Sequence, residues 1–258
     1  MNDSVQIIRD FAVRHHYEKL HPVAALVDMD GTLYDSMRNH ARAWSMMCAE
    51  AGLTVDYDEF FMYEGMTGAQ TIDIIMQRCR GRHATAEECE SLYHRKTELF
   101  TSLPPVEVMP GARELTSLMK EVGMRRVLVT GSGQSSLIGR LDSDFPGVFD
   151  SNLRVASKDV AHGKPHPEPY IRAMQLARVT PSQAIAIENA PLGVKSAATS
   201  GAFTIGVVTG PVPRAELEGA GAAIVYDSMT ECAEAFPTLL YNMLTYVPNR
   251  NETAAYIH

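Results

Sequence analysis

Two carboxylates stand two residues apart in the run Asp28-Met29-Asp30-Gly31-Thr32. A pair of differently placed acids suits phosphoryl transfer: one attacks phosphorus to give an aspartyl-phosphate, and the other protonates the departing alkoxide and later deprotonates the acceptor. Alone, an Asp-x-Asp pair is most often a turn that binds its own backbone. The apolar run before it and the Gly-Thr after it turn the reading toward a site. Three further groups supply what such chemistry needs. Thr130, followed by Gly131-Ser132-Gly133, offers a hydroxyl and backbone N–H groups ahead of a predicted helix, where anions are favoured. Lys164 is a point cation held between Gly163 and Pro165, with Pro167 and Pro169 close behind. Glu188-Asn189 supplies hard oxygen atoms suited to Mg²⁺.

The elements that must position these groups are legible in the hydrophobic pattern. Val23-Ala24-Ala25-Leu26-Val27 is a strand-length apolar run that ends on Asp28. Further buried strands are expected at 126–130, 184–187, 202–207 and 222–225, with helices near 113–122, 134–142, 167–178, 190–200 and 229–243. Such alternation argues for an α/β fold with a parallel sheet and helices on both faces. In such sheets ligands bind beyond the carboxyl ends of the strands, where Asp28, Asp30, Thr130, Glu188 and Asn189 all fall. Between 37 and 103 the pattern is helical instead, with faces marked by Trp44, Met47 and Cys48, by Ile72, Ile75 and Met76, and by Leu92, Leu99 and Phe100. Pro104-Pro105 closes this stretch. The expected division is therefore a core of residues 1–36 and 104–258 with an all-helical insert of residues 37–103. An amphipathic helix is expected within the first twenty residues, and a loose tail from Pro248 to His258.

Composition bounds the function classes. Hydrophobic residues make up 45% and charged residues 21% of the 258, which favours an ordinary globular chain. A formal net charge of -8 argues against a nucleic-acid partner. No segment has the length or apolar character of a membrane span or a signal-peptide core. Cys48, Cys79, Cys89 and Cys232 have no CxxC spacing, so free thiols and a cytoplasmic location are expected.

In the order Asp28-x-Asp30, Thr130, Lys164, Glu188-Asn189, the chain resembles the four motifs of the haloacid dehalogenase-like superfamily over roughly residues 22 to 226. The helical insert is similar to the cap of the branch that includes beta-phosphoglucomutase and small-molecule phosphatases. The resemblance implies a Rossmann-like core under a mobile helical cap. It implies that Asp28 is nucleophile and Mg²⁺ ligand, and that Asp30 is acid/base with its carbonyl also on the metal. Thr130 and Lys164 would hold the transferring phosphoryl group, with Gly131 and Ser132 beside it. Asn189 would be a metal ligand supported by Glu188; an aspartate is commoner than Asn189 in that place. An acid at position 30 implies phosphate chemistry, because a halide leaves without a proton.

The segment from Asp35 to Trp44 also resembles the start of the beta-phosphoglucomutase cap, which implies that His40 couples cap closure to Asp30, with Lys96 nearby. The loop Glu64-Gly65-Met66-Thr67-Gly68-Ala69-Gln70, with Gly65 and Thr67, would select the substrate. Gly68 falls where the mutase carries an arginine that grips a second phosphate, a loss that favours a hydrolase. The expectation is a Mg²⁺-dependent phosphomonoester hydrolase acting on a small phosphorylated metabolite, such as a sugar phosphate. A beta-phosphoglucomutase and a non-catalytic phosphate-binding regulator stay open beside it.

Overall fold

The computed structural model describes residues 3–132 and 135–247. After helix α1 (Asp3–Arg14), strand β1 (Ala24–Val27) leads into four helices: α2 (Met37–Glu50), α3 (Glu59–Met62), α4 (Gly68–Arg80) and α5 (Ala86–Ser102). The chain then alternates through α6 (Ala112–Glu121), β2 (Arg125–Val129), α7 (Ser135–Asp144), β3 (Arg154–Val155), α8 (Glu168–Ala177) and β4 (Ala184–Glu188). It ends through α9 (Pro191–Thr199), β5 (Phe203–Val207), α10 (Arg214–Gly219), β6 (Ile224–Tyr226) and α11 (Met229–Thr245). The expected tail from Pro248 lies outside the described residues.

Six parallel strands form one sheet in the order β3-β2-β1-β4-β5-β6. This is the Rossmann-like doubly wound order, and its direction of winding reverses between β1 and β4. The register pairs Val27 with Ile187, so Asp28 and Glu188 leave neighbouring strands side by side at that reversal. Every residue of β1, β4 and β5 is buried, because helices cover both faces. A strand buried on both sides needs a continuous apolar run rather than alternation.

The elements that the sequence pattern did not resolve are β3, with two residues, α3, with four, and α10, with six. None is long enough to display a period. In the helical segment, punctuation sets the boundaries. Thr67 with Gln70 and Thr85 with Glu88 form capping boxes that start α4 and α5, and Gly81 ends α4 in the left-handed conformation. All four cysteines are unpaired. Among the described residues, no helix is long and apolar enough to cross a membrane.

Candidate active site

β1 delivers Asp28 into the crevice, with its N–H donating to Ile187 O at 3.1 Å. The chain turns at once: Leu33 and Tyr34 donate to Met29 O, and Gly31 donates to Tyr34 O. Gly31 sits at φ +78°, and a Cβ there would lie 1.9 Å from Asn189 Nδ2 and 2.8 Å from Glu64 Oε1. Only glycine satisfies both the backbone and the neighbours.

Lys164 is buried between the two strand ends. Its Nζ donates to Asp28 Oδ1 and to Glu188 Oε1, each at 2.5 Å, and to Val129 O at 3.3 Å. Glu188 is held further by the Tyr170 hydroxyl, which donates to Oε1 at 2.6 Å, and by the N–H groups of Asn189 and Ala190 on Oε2. Burial opposes the Lys164 charge, but Asp28 and Glu188 outweigh it and hold the ammonium above its ordinary range. Burial, and then the Glu188 charge, push the Asp28 carboxyl up against the pull of Lys164. One lysine therefore does not neutralise this strand end.

Asp30 faces the helical segment. Its Oδ1 accepts from Ser36 Oγ at 2.7 Å and lies 2.8 Å from His40 Nε2, while His40 Nδ1 lies 2.6 Å from Lys96 Nζ. This spacing assigns the imidazole proton to Nε2 and makes Nδ1 the acceptor from Lys96. Burial would raise Asp30, yet the charge and hydrogen bond of His40, the Ser36 hydroxyl and the Lys96 charge hold it below its ordinary range. Burial and then Lys96 lower His40, and burial takes Lys96 down to about 7 against the attraction of Asp30. The ammonium lies 5.2 Å from the rings of Trp44 and Phe100 and 5.8 Å from that of Tyr93.

At the end of β2, Thr130 N donates to Val155 O, and Ser132 N donates to Thr130 Oγ1 at 3.0 Å. Gly133 lies outside the described residues. The helical segment is seated on this loop: a Cβ on Gly131 would meet Gly65 O at 2.3 Å, and one on Gly65 would meet Lys164 Cδ at 3.1 Å. Between core and helices lies a narrow cavity of about 60 Å³, lined on the core side by Asp28, Asp30, Thr130, Gly131, Ser132 and Glu188. The helical segment, its loops included, contributes His40, Trp44, Phe60, Tyr63, Glu64 and Lys96.

The structure thus joins the sequence-derived residues in two groups, Asp28 with Lys164 and Glu188, and Asp30 with His40 and Lys96. Thr67 stands apart. Its Oγ1 accepts from Gln70 N and caps α4, and it is absent from the cavity wall. Asn189 also lies off that wall; its Oδ1 accepts from Thr32 at 3.3 Å, and its Nδ2 donates to Glu64 at 2.6 Å. Sequence reasoning missed Ser36, Tyr170 and the contribution of Glu64. Ser36 directly precedes α2, and Tyr170 follows Lys164 on the first turn of α8, positions that could have flagged both. Burial raises the Glu64 carboxyl well above its ordinary range, against the Asn189 amide and with the charges of Asp28, Glu188 and Asp30 adding to it.

Paired acids and a buried lysine at the switch point of a Rossmann-like sheet, under a helical insert, define an α/β enzyme core of the haloacid dehalogenase type. The chain belongs to the haloacid dehalogenase-like hydrolases, whose sequence pattern matches residues 23–201. It is 26% identical to the beta-phosphoglucomutase of Bacillus subtilis over 196 residues, 72% of this chain and 84% of that one. It is 30% identical to the fructose-1-phosphate phosphatase YqaB of Escherichia coli over 190 residues, 70% of this chain and 94% of that one. Among solved structures, a Bacteroides vulgatus protein with a provisional beta-phosphoglucomutase name superposes with a TM-score of 0.90 at 42% identity. That match covers 93% of this chain and 98% of the other.

Proposed function

We propose that the chain is a Mg²⁺-dependent phosphomonoester hydrolase acting on a small sugar phosphate through an aspartyl-phosphate on Asp28. The observation that carries this reading is the placement of Asp28 and Asp30 on one cavity wall, each held by a separate cationic network.

An Asp28 oxygen attacks phosphorus while the ester P–O bond breaks, and the departing alkoxide takes its proton from Asp30. Asp30 then takes a proton from water, whose oxygen attacks the phosphorus of the aspartyl-phosphate. The bond to Asp28 breaks, and phosphate leaves with both side chains ready for another turn. Asp30 is ionised by its present neighbours. A phosphoryl dianion bound beside it raises its affinity for the proton it must donate. His40 and Lys96 position Asp30, and Thr130 with the Gly131 and Ser132 loop receives the phosphoryl oxygens.

A divalent cation fits the donor set. Asp28, Asp30, Glu188 and Asn189 supply hard oxygen atoms, and burial with Glu188 leaves Asp28 raised even beside Lys164. When bound, Mg²⁺ supplies electrostatic stabilisation of the charge that develops on the phosphoryl oxygens.

The helical wall favours hydrolysis over phosphate exchange. No arginine lines the cavity among the described residues. A Cβ on Gly68 would lie 2.1 Å from the Tyr93 ring, so an aromatic ring fills the space where a phosphate-gripping side chain would start. The mutase reading draws on a different observation, the chain Asp30–His40–Lys96, which can couple the acid/base to the helical segment. A panel of sugar, nucleotide and short-acid phosphates, assayed for Mg²⁺-dependent phosphate release with Asp28→Asn as blank, tests the proposal. Conversion of beta-glucose 1-phosphate with bisphosphate primer and negligible free phosphate would replace it with the mutase. Activity surviving in Asp28→Asn would refute both.

A further inference from the structure

Glu64 is carried by the loop between α3 and α4, in the helical segment, yet its side chain meets the core. It is 8% exposed. Its Oε1 accepts from Asn189 Nδ2 at 2.6 Å, and it packs against Gly31, where a Cβ would come within 2.8 Å of the same oxygen. The strand ends it faces already hold Asp28, Asp30 and Glu188. Lys164 bridges Asp28 and Glu188, and His40 serves Asp30; among the described residues neither side chain forms an ion pair with Glu64. A carboxylate brought among three others, with only a neutral amide for company, is costly to bury as the anion, so either a proton or a cation must share the space, and a bound cation displaces the proton.

We propose that Glu64 belongs to the charge set that binds the divalent cation, so that cation binding and seating of the helical segment are linked. This rests on the Mg²⁺-dependent reading above. The neutral side chain at 189 is what admits Glu64. The Asn189 Nδ2 donor meets Oε1, whereas a carboxylate at 189 would set two like charges in contact. The negative charge that completes the site is thereby carried on the helical segment. The coupling is reciprocal: Mg²⁺ favours the seated arrangement, and seating tightens Mg²⁺. Trp44, the chain's single tryptophan, lines the cavity from the helical side and reports seating by its fluorescence.

The test is a Mg²⁺ titration of the full chain without substrate, followed by calorimetry and by Trp44 fluorescence. The proteins are the wild type, Glu64→Gln, Asn189→Asp, the double variant and Asp28→Asn. Gln at 64 keeps an acceptor for Asn189 Nδ2 and removes only the charge. Loss of an outer partner weakens metal sites by about 10- to 100-fold, so Glu64→Gln is expected to raise the Mg²⁺ Kd at least about tenfold. The fluorescence change moves to the same higher concentration. Asn189→Asp alone alters Trp44 fluorescence before Mg²⁺ is added, and the double variant recovers most of the lost affinity because the charge has returned on the core side. Equal Kd in wild type and Glu64→Gln, with Asp28→Asn still weakened, overturns the role of Glu64 and leaves the phosphatase reading standing. A double variant no tighter than Glu64→Gln overturns it too. A wild type that binds no Mg²⁺ defeats the metal-dependent reading and this inference together.

Discussion

Replacing Lys96 by methionine should make the protein more stable and less active. Lys96 is 2% exposed, and burial takes its ammonium from the ordinary 10.5 down to about 7. At neutral pH, keeping this group in place costs about 4 kcal/mol relative to the unfolded chain, at about 1.4 kcal/mol per pH unit. The Trp44, Tyr93 and Phe100 rings and the hydrogen bond to His40 return about 1–2 kcal/mol. An unbranched apolar side chain of similar length removes the cost, so Lys96→Met should gain about 2–3 kcal/mol at pH 7. The pH dependence has a definite sign. The folded-state value is below the unfolded one, so between about 7 and 10.5 the unfolded chain holds the proton and the folded chain releases it. Wild-type stability attributable to this group therefore rises with pH across that window, and below about 7 the full cost remains. Urea unfolding of both proteins at several pH values reads the difference, which cancels other titrating groups. The advantage of Lys96→Met should be largest at or below pH 7 and vanish near pH 10. A pH-independent difference, or a less stable variant at pH 7, would refute the reasoning. Turnover should fall because His40 loses the donor that fixes its tautomer.

Three other substitutions probe other parts of the site. Gly31→Ala must place a Cβ against Asn189 and Glu64 at φ +78°, with a backbone cost of about 1–3 kcal/mol before the clash is counted. Phosphate release should drop to the Asp28→Asn level in protein that remains folded by circular dichroism; near-normal activity would contradict the packing. Tyr170→Phe removes the hydroxyl donor to Glu188 Oε1, leaves a buried carboxylate less satisfied and should cost about 1–3 kcal/mol in chemical denaturation. Unchanged stability would mean that Lys164 alone suffices for Glu188. Gly68→Arg should destabilise by about 1–3 kcal/mol through overpacking on Tyr93, and Tyr93→Ala in the same chain should relieve that loss. Additive losses in the double variant would show that the two positions do not share space.

What could be read without the fold was whatever is encoded locally. The apolar run ahead of Asp28, the alternation after Pro110 and the helical period from 37 to 103 each lie within one stretch of chain, and such periods follow directly from backbone geometry. β3, α3 and α10 escaped because two, four and six residues are too few to show a period. The order of Asp28, Asp30, Thr130, Lys164 and Glu188 was legible for the same reason, since each stands at a strand end or in a Pro-rich loop. The partnerships were not. Lys164 reaches Asp28 across 136 positions, and Asn189 reaches Glu64 across 125. Packing alone decides such contacts, because the strand order and the seating of the helices select which distant groups share a desolvated space. Gly68 shows the difference most plainly. The resemblance of the cap loop implied a missing side chain, and only the tertiary structure showed that the Tyr93 ring occupies its place. The chemistry of the strand ends was therefore written in the chain, while the charge balance around Asp28, Asp30 and Glu64 arose only when two parts of it closed on one cavity.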